Sequence, residues 1–389
     1  MADEATLVTL EPGGPADAAR QLAVGAHWGD DLTPSQYAAR EAHVWQQSTW
    51  VERDRACTVF ALALQGEPPA AAPAVSCEVF AMELLHVASP GVVARGKALG
   101  IASVFTLAQH RRRGLASRML RALAASPQAA HAHALVLMSE VEPALYERCA
   151  YVAPSKAIHD WVFTAAGAAP AAAPAAALVT AAELPALAAR LAALAERDLL
   201  ACGQVGAVAV APSAEQLLWH AARFAGRRAA LGLEPLSLPC GATCGDAFAI
   251  WALDAEDGAT VLRVLALVAS DDAEATSAVI SAAVRSAESA GAPAGRTLAW
   301  TTGTLHAGAA AQQPWTPPAE QLAAAGVAVA REARRCLSVP WTPPTAQLAA
   351  AGVAVAKEDR RCLSVPMMAA LRPHLQPASW TWIPRGVWV

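Results

Sequence analysis

Between residues 99 and 124 the chain passes from an apolar stretch, Leu99–Leu107, through Gln109-His110-Arg111-Arg112-Arg113-Gly114-Leu115-Ala116 into a segment with Leu115, Met119, Leu120 and Leu123 at helical spacing. A strand that delivers the chain to a helix start can bind an anion. The first N–H groups of a helix have no partner within it, and the local field favours negative charge. Gly114 and Ala116 carry little or no side chain, so the backbone can approach an anion closely. Three arginines add positive charge where a diphosphate would lie. The plainer alternative is a solvated basic turn. Nucleic acid is disfavoured as a partner, because no aromatic interleaving or wider basic face accompanies the arginines.

The composition sets bounds on what this loop serves. The chain has 389 residues, enough for two domains, and a net charge of −4 gives no general attraction to nucleic acid or anionic membrane. Apolar residues reach 55%, but alanine inflates that figure and aromatics supply only 5%. No uncharged run of membrane-spanning length is rich in large apolar residues, and the longest candidate, Ala165–Ala182, is an Ala-Pro tract. Asp3 and Glu4 stand where a signal peptide would carry positive charge. The eight cysteines are scattered. Only Cys240 and Cys244 lie close together, with no second pair or histidine set to complete a metal site. Free thiols, no metal and a cytoplasmic location are the expectation.

The elements around the loop alternate. Ala5–Leu10, Ala56–Leu64, Ala74–Val87 and Ala134–Met138 read as strands, and residues 16–26 and 33–48 read as helices. Thr33-Pro34 places a cap residue before a proline at the first helical position. Pro143–Cys149 reads as a short helix, and Tyr151–Phe163 as the strands that close this first unit. The tract AAGAAPAAAPAAA at Ala165–Ala177 marks an extended linker. The expected division is residues 1–164, a linker at 165–178 and a second α/β domain at 179–389. In that second part, 181–200 and 272–290 are expected as helices and 247–253, 261–268 and 296–301 as strands, with no glycine-rich loop. Within it, Pro314–Val339 and Pro340–Val365 are tandem copies of one unit, differing only at 319/345, 320/346, 331/357 and 333/359. Two copies are too few for a solenoid. One copy is expected to sit in a sheet and the other to be superfluous.

The pattern R-x-x-G-x-A at Arg111–Ala116, between a central strand and a helix, resembles motif A of the GNAT acetyltransferases. Leu145-Tyr146-Glu147-Arg148-Cys149-Ala150-Tyr151 is similar to that family's LYEKxGF segment, with Ala150 and Tyr151 in place of its Gly and Phe; both departures read as packing positions. A narrower resemblance is to the fungal lysine N6-acetyltransferases. It rests on Leu32-Thr33, Tyr37 and Arg40-Glu41, on Ser76-Cys77-Glu78, on Gly100–Thr106, on Ser139-Glu140 before Pro143, and on Trp382 with Trp388-Val389. The resemblance implies a GNAT fold, a mixed and mostly antiparallel sheet flanked by helices, followed by a second GNAT-like α/β domain without the donor loop.

It also implies an activity and a site. Acetyl-CoA would donate to a small-molecule amine, foremost the side-chain amine of free L-lysine. Val104, Phe105 and Thr106 would meet the donor through main-chain atoms, Arg111, Arg112, Arg113, Gly114, Leu115, Ala116 and Ser117 would hold its diphosphate, and Tyr146 would protonate the departing thiolate. Less than about 0.1% of a lysine amine is neutral at pH 7, so a base or a desolvating pocket is needed. Glu78, on an apolar strand where a lone carboxylate would be costly, and Glu140 are the candidates. An ordinary salt bridge is the competing reading for both. Surface or packing roles are expected for His86, His110 and His159. Acetylation of a protein or of another small amine, and a scaffold without turnover, are the alternatives.

Overall fold

The computed structural model describes residues 5–48, 50, 56–66, 68, 71–139, 144–151, 158–165, 175–234, 240–256, 258–292, 297–301, 305–306, 319–334, 365–370 and 380–382. Its first part runs β1 (Ala5–Leu10), α1 (Pro15–Trp28), α2 (Pro34–Gln47), β2 (Cys57–Leu64), β3 (Val75–Ser89), β4 (Val92–Thr106), α3 (Leu115–Ala124), α4 (Pro127–Ala130), β5 (Ala134–Ser139) and α5 (Ala144–Glu147). Helix α2 begins as its sequence dictates. The Thr33 side chain accepts from the Gln36 N–H, the Gln36 side chain accepts from the Thr33 N–H at 2.9 Å, and Pro34 opens the helix. A Cβ at Gly25 would stand 2.7 Å from Tyr37 Cβ, so glycine lets α1 and α2 cross closely.

The strands β1-β2-β3-β4-β5 form one sheet, antiparallel except for the parallel pair β4–β5. Period-two alternation divides its faces. Leu99, Ile101, Leu135 and Leu137 pack with Leu115, Met119, Leu120 and Leu123 of α3. Ala98, Ala102, Ala134 and Val136 face the α2 side with Val44, Phe80 and Met82.

The second part runs β6 (Ile158–Ala165), β7 (Ala177–Val179), α6 (Leu184–Cys202), β8 (Val208–Ala211), α7 (Ala214–Ala230), β9 (Gly241–Cys244), β10 (Ala247–Glu256), β11 (Ala259–Ala269), α8 (Ala273–Ser289), β12 (Thr297–Thr301), β13 (Leu305–His306), α9 (Ala319–Ala324), β14 (Val327–Arg334), β15 (Val365–Ala370) and β16 (Trp380–Trp382). A second sheet has the order β14-β6-β12-β11-β10-β9-β7. Phe248 and Ile250 face α6 and α7, while Ala249 and Trp251 face α8. The chain passes from β11 through α8 into β12, which lies parallel to β11, repeating the β4–α3–β5 connection.

The two sheets exchange strands, which linear reading does not anticipate. The segment expected to close the first sheet contributes β6, Ile158–Ala165, to the second, between β12 and β14. In return the later chain gives the first sheet β15 beside β5 and β8 beside β3. Pairing partners are chosen in three dimensions, and an apolar strand reads the same whichever edge it fills. Pro366 lies in β15, at the edge of the sheet, where a missing N–H is tolerated. Strand β4 also starts earlier than its apolar run, at Val92, because Arg95 and Lys97 occupy exposed positions of the β3–β4 hairpin.

Helix α7 closes the face of the first sheet that carries α1 and α2. Phe80 stacks on Trp50 and meets Trp219 edge-on, with ring centroids at 5.4 and 5.5 Å. Gln36 Nε2 donates to the Ala230 carbonyl at 2.7 Å. Arg40 Nε donates to buried Glu41 at 2.8 Å, and Arg223 Nε reaches the same oxygen at 3.9 Å. Burial alone would raise the Glu41 carboxyl, but Arg40 and Arg223 outweigh it and hold it below the ordinary 4.5. A depressed folded-state pKa contributes stability that is present above pH 4.5 and lost as pH falls through the folded value. Urea melts should therefore show stability falling below about pH 4.5, and Glu41→Gln should be less stable at pH 7 with a shallower acid limb. An unchanged acid limb would count against this assignment.

The first repeat copy supplies α9 and β14, so its GVAVA segment is a strand of the second sheet. Residues 340–364 of the second copy lie outside the described residues. Deleting Pro340–Val365 brings Val339 before Pro366 and restores the Val-Pro start of β15. The expected outcome is soluble protein with a Tm within about 4 °C of the parent, measured by thermal melt. Loss of soluble protein would refute the redundancy of that copy.

Candidate active site

Strand β4 is bent by a bulge where it passes β3. Ser76 pairs with Phe105 and Glu78 with Ala102, so Ser103 and Val104 together oppose Cys77. Ser103 has φ +52, a left-handed conformation that bulges of this kind normally give to glycine. The parallel ladder between β4 and β5 ends at Ile101–Leu137, just before the bulge, while β4 continues to Thr106. On its other side β5 pairs with β15 along its whole length, from Ala134 with Ala370 to Ser139 with Val365. Val104, Phe105 and Thr106 thus edge a gap between two strands that have separated. Phe105 itself is buried under α1 and α2, packed edge-on against Trp28 at 5.4 Å.

The basic loop follows without interruption. Arg112 and Gly114 both take left-handed φ, +62 and +74, so the backbone curls and its N–H groups turn inward. Gly114 is the N-cap of α3 and no side chain caps that helix, leaving the amides of Leu115, Ala116 and Ser117 at an open positive end. Arg111, Arg112 and Arg113 are exposed around it. Arg111 is steadied by Nε donating to the Thr106 carbonyl at 3.0 Å and by lying over the Phe105 ring. Burial and the nearby Arg111 guanidinium lower the pKa of His27, keeping it neutral at pH 7 beside the loop.

The matching position of the second unit is built differently. There α8 starts at Asp272, whose carboxylate accepts from the Glu274 and Ala275 N–H groups at 2.9 and 3.1 Å. That helix end is filled by its own acid, whereas the matching end of α3 has no side-chain cap.

Tyr146 lies in α5, 6% exposed, in the cluster that holds Leu115, Met119 and Leu120 of α3. Its ring meets Tyr151 edge-on at 5.9 Å. The Tyr151 hydroxyl is buried with no hydrogen-bond partner among the described residues. Cys77 is a buried thiol pushed up to about 12 by burial and the nearby Glu78 carboxylate, so it is not a nucleophile.

The family model described as the LYC1 GNAT-like C-terminal domain matches residues 160–383, starting inside β6 and not at the Ala-Pro tract. The chain belongs to that family. It is an acyltransferase of the GNAT kind, and the donor of such enzymes is acetyl-CoA. A conserved protein from Enterococcus faecalis V583 shares the fold, at 10% identity, 96% of this chain, 74% of that one and a TM-score of 0.50. A GCN5-related N-acetyltransferase from Kribbella flavida is 16% identical, with 95% and 96% covered and a TM-score of 0.48. No curated protein matches the sequence.

Within this GNAT chain the two expected carboxylates fare differently. Glu140 lies outside the described residues. Glu78 is buried but not alone. Its Oε1 accepts from Arg20 Nη2 at 3.0 Å and its Oε2 accepts from Ser103 Oγ at 3.0 Å. Arg20, 1% exposed, also donates through Nε to Asp17 at 2.8 Å. Burial works against the Arg20 charge, yet Glu78 and Asp17 outweigh it and raise its pKa. Neither Asp17, Arg20 nor Ser103 stood out in sequence. The signals that could have found them are an acid and a base three apart on α1, and a serine where two strands part.

Ala150 is more than a packing position. Its φ is +64, so the glycine of the GNAT pattern has been replaced where a left-handed residue is required. Ala150→Gly should stabilise the protein by about 1 kcal/mol by relieving that conformation. The measurement is a denaturant midpoint at constant m-value, and a lower midpoint would refute the strain.

Proposed function

We propose that the chain transfers the acetyl group of acetyl-CoA to the amine of a small molecule, foremost the side-chain amine of free L-lysine. The observation that carries this reading is one coincidence in space. The open N-terminus of α3, with its left-handed curl and three arginines, begins where β4 has just parted from β5. A diphosphate on the amides of Gly114–Ser117 would direct the rest of the donor along the exposed edge of Val104–Thr106. Arg111, Arg112 and Arg113 neutralise the diphosphate. Main-chain groups of Val104, Phe105 and Thr106 orient the thioester and favour charge on its carbonyl oxygen.

Tyr146, on the helix after β5, donates its hydroxyl proton to the departing thiolate. Glu140, immediately after β5, is the carboxylate proposed to take the proton of the attacking amine. Glu78 is the second candidate, but both its oxygens are already engaged. A small acceptor is favoured because α7 packs on α2 and covers that face of the first sheet. The lysine preference rests on the resemblance to the lysine N6-acetyltransferases. Buried free thiols at Cys57 and Cys77 fit the reducing cytoplasm.

The test is a thiol-release assay with acetyl-CoA against free amino acids, polyamines and peptides. L-lysine should give the highest kcat/KM, and Tyr146→Phe should lower kcat by about 10²-fold with little change in KM for acetyl-CoA. Absence of acceptor-dependent release from every amine would overturn the enzymatic reading.

A further inference from the structure

The group formed by buried Asp17, Arg20 and Glu78 with half-buried Ser103 has a geometry that a general base does not require. Each Glu78 oxygen accepts from a fixed donor at 3.0 Å, one from Arg20 and one from Ser103, so the carboxylate bridges α1 and β4, a tie that proton transfer does not require. Asp17 is anchored in its turn, accepting from Arg20 Nε and from the Gly13 N–H at 2.9 Å. The chain of contacts therefore runs from the turn before α1, through α1, across β3 and onto β4. It ends at Ser103, which holds a left-handed φ without being glycine.

Such a conformation persists only where the surroundings over-determine it. The Ser103 hydroxyl is the handle by which it is held, and the bulge it creates coincides with the end of the β4–β5 ladder. We infer that Arg20 and Glu78 are positioning residues: they clamp the Ser103 hydroxyl and thereby hold the β4 bulge that opens the donor gap. On this view Glu78 is not the base. It acts through Ser103 on the main chain of Val104–Thr106, and α1 becomes part of the acyl-transfer site without touching the donor. This rests on the acetyl-transfer reading for its kinetic consequence, but not for the clamp itself.

Three variants separate the possibilities. Ser103→Ala removes the hydroxyl but keeps a side chain that resists positive φ, whereas Ser103→Gly removes the hydroxyl and the resistance together. Ser103→Ala should lower kcat about tenfold, and Ser103→Gly should restore most of that loss. Glu78→Gln should lower kcat by a similar factor while leaving the acid limb of the pH–kcat profile in place. Equal loss in Ser103→Ala and Ser103→Gly would mean that the hydroxyl itself is needed, and would overturn the clamp. So would wild-type rates in Ser103→Ala. Disappearance of the acid limb in Glu78→Gln would make Glu78 the base.

If no amine is acetylated, the same variants are read by hydrogen exchange of the Ser103 and Val104 amides and by CoA affinity. Faster exchange and weaker CoA binding in Ser103→Ala, reversed in Ser103→Gly, would sustain the clamp although acetyl transfer had failed. No difference in exchange would overturn it. If Glu78→Gln does not fold, the two Ser103 variants decide alone.

Discussion

A sheet that binds a linear donor edge-on must be kept open at one place, and hydrogen bonding works against that. Two adjacent parallel strands gain by continuing their ladder, and every unpaired N–H and C=O left behind must find another partner. Here β4 and β5 pair over four positions and then part. The parting coincides with one additional residue in β4 at Ser103–Val104, while β5 stays paired with β15 on its other edge along its whole length. The edge of β4 beyond Ile101 is unpaired with β5, and the helix that follows has no side-chain cap on its first N–H groups.

Strand exchange explains why the two halves act as one structure. β8 extends the edge of β3 beyond the reach of β2, and Leu85, Val87, Ala209 and Ala211 pack into the core beneath α6 and the second sheet. Helix α7 is laid over α2 with an aromatic stack, a buried carboxylate between two arginines and a cap to the Ala230 carbonyl. Removing either half would leave strand edges unpaired and charges buried without partners, which is why the linear boundary at the Ala-Pro tract does not coincide with the division of the sheets. The second sheet repeats the strand–helix–strand connection of the first but closes its helix end with Asp272. Of the two corresponding helix starts, that of α3 has no side-chain cap and that of α8 has one.

Much of the first sheet was legible from alternation and spacing. The runs 5–10, 56–64 and 74–87, the helix after the loop and the cap at Thr33 are local, and local chemistry forms them. The basic strand-to-helix junction at Arg111–Ser117 was legible for the same reason: the glycine, the small residues and the helical spacing that follows are local signals. The environment of Glu78 was not. Whether a carboxylate on an apolar strand is a lone base or the centre of a hydrogen-bonded cluster depends on Arg20, 58 positions away in sequence. Nor was the role of Ala150, because φ does not show in a one-letter code.

What the sequence by itself determined is the set of parts: amphipathic strands and helices, a basic strand-to-helix junction at Arg111–Ser117, a tyrosine on the helix after the next strand, and a duplicated unit late in the chain. These follow from nearest-neighbour chemistry, since caps, turns and period-two or 3.6-residue patterns are settled within a few residues. Tertiary structure alone decided which edge each strand fills, that β6 and β15 change places between the sheets, and that Ser103 takes a left-handed bend under a buried arginine–glutamate pair. Those outcomes depend on residues that meet only after folding. The Arg111–Ser117 junction is readable in isolation, but the bulge before it, and the end of the β4–β5 ladder beside that bulge, appear only in the folded sheet.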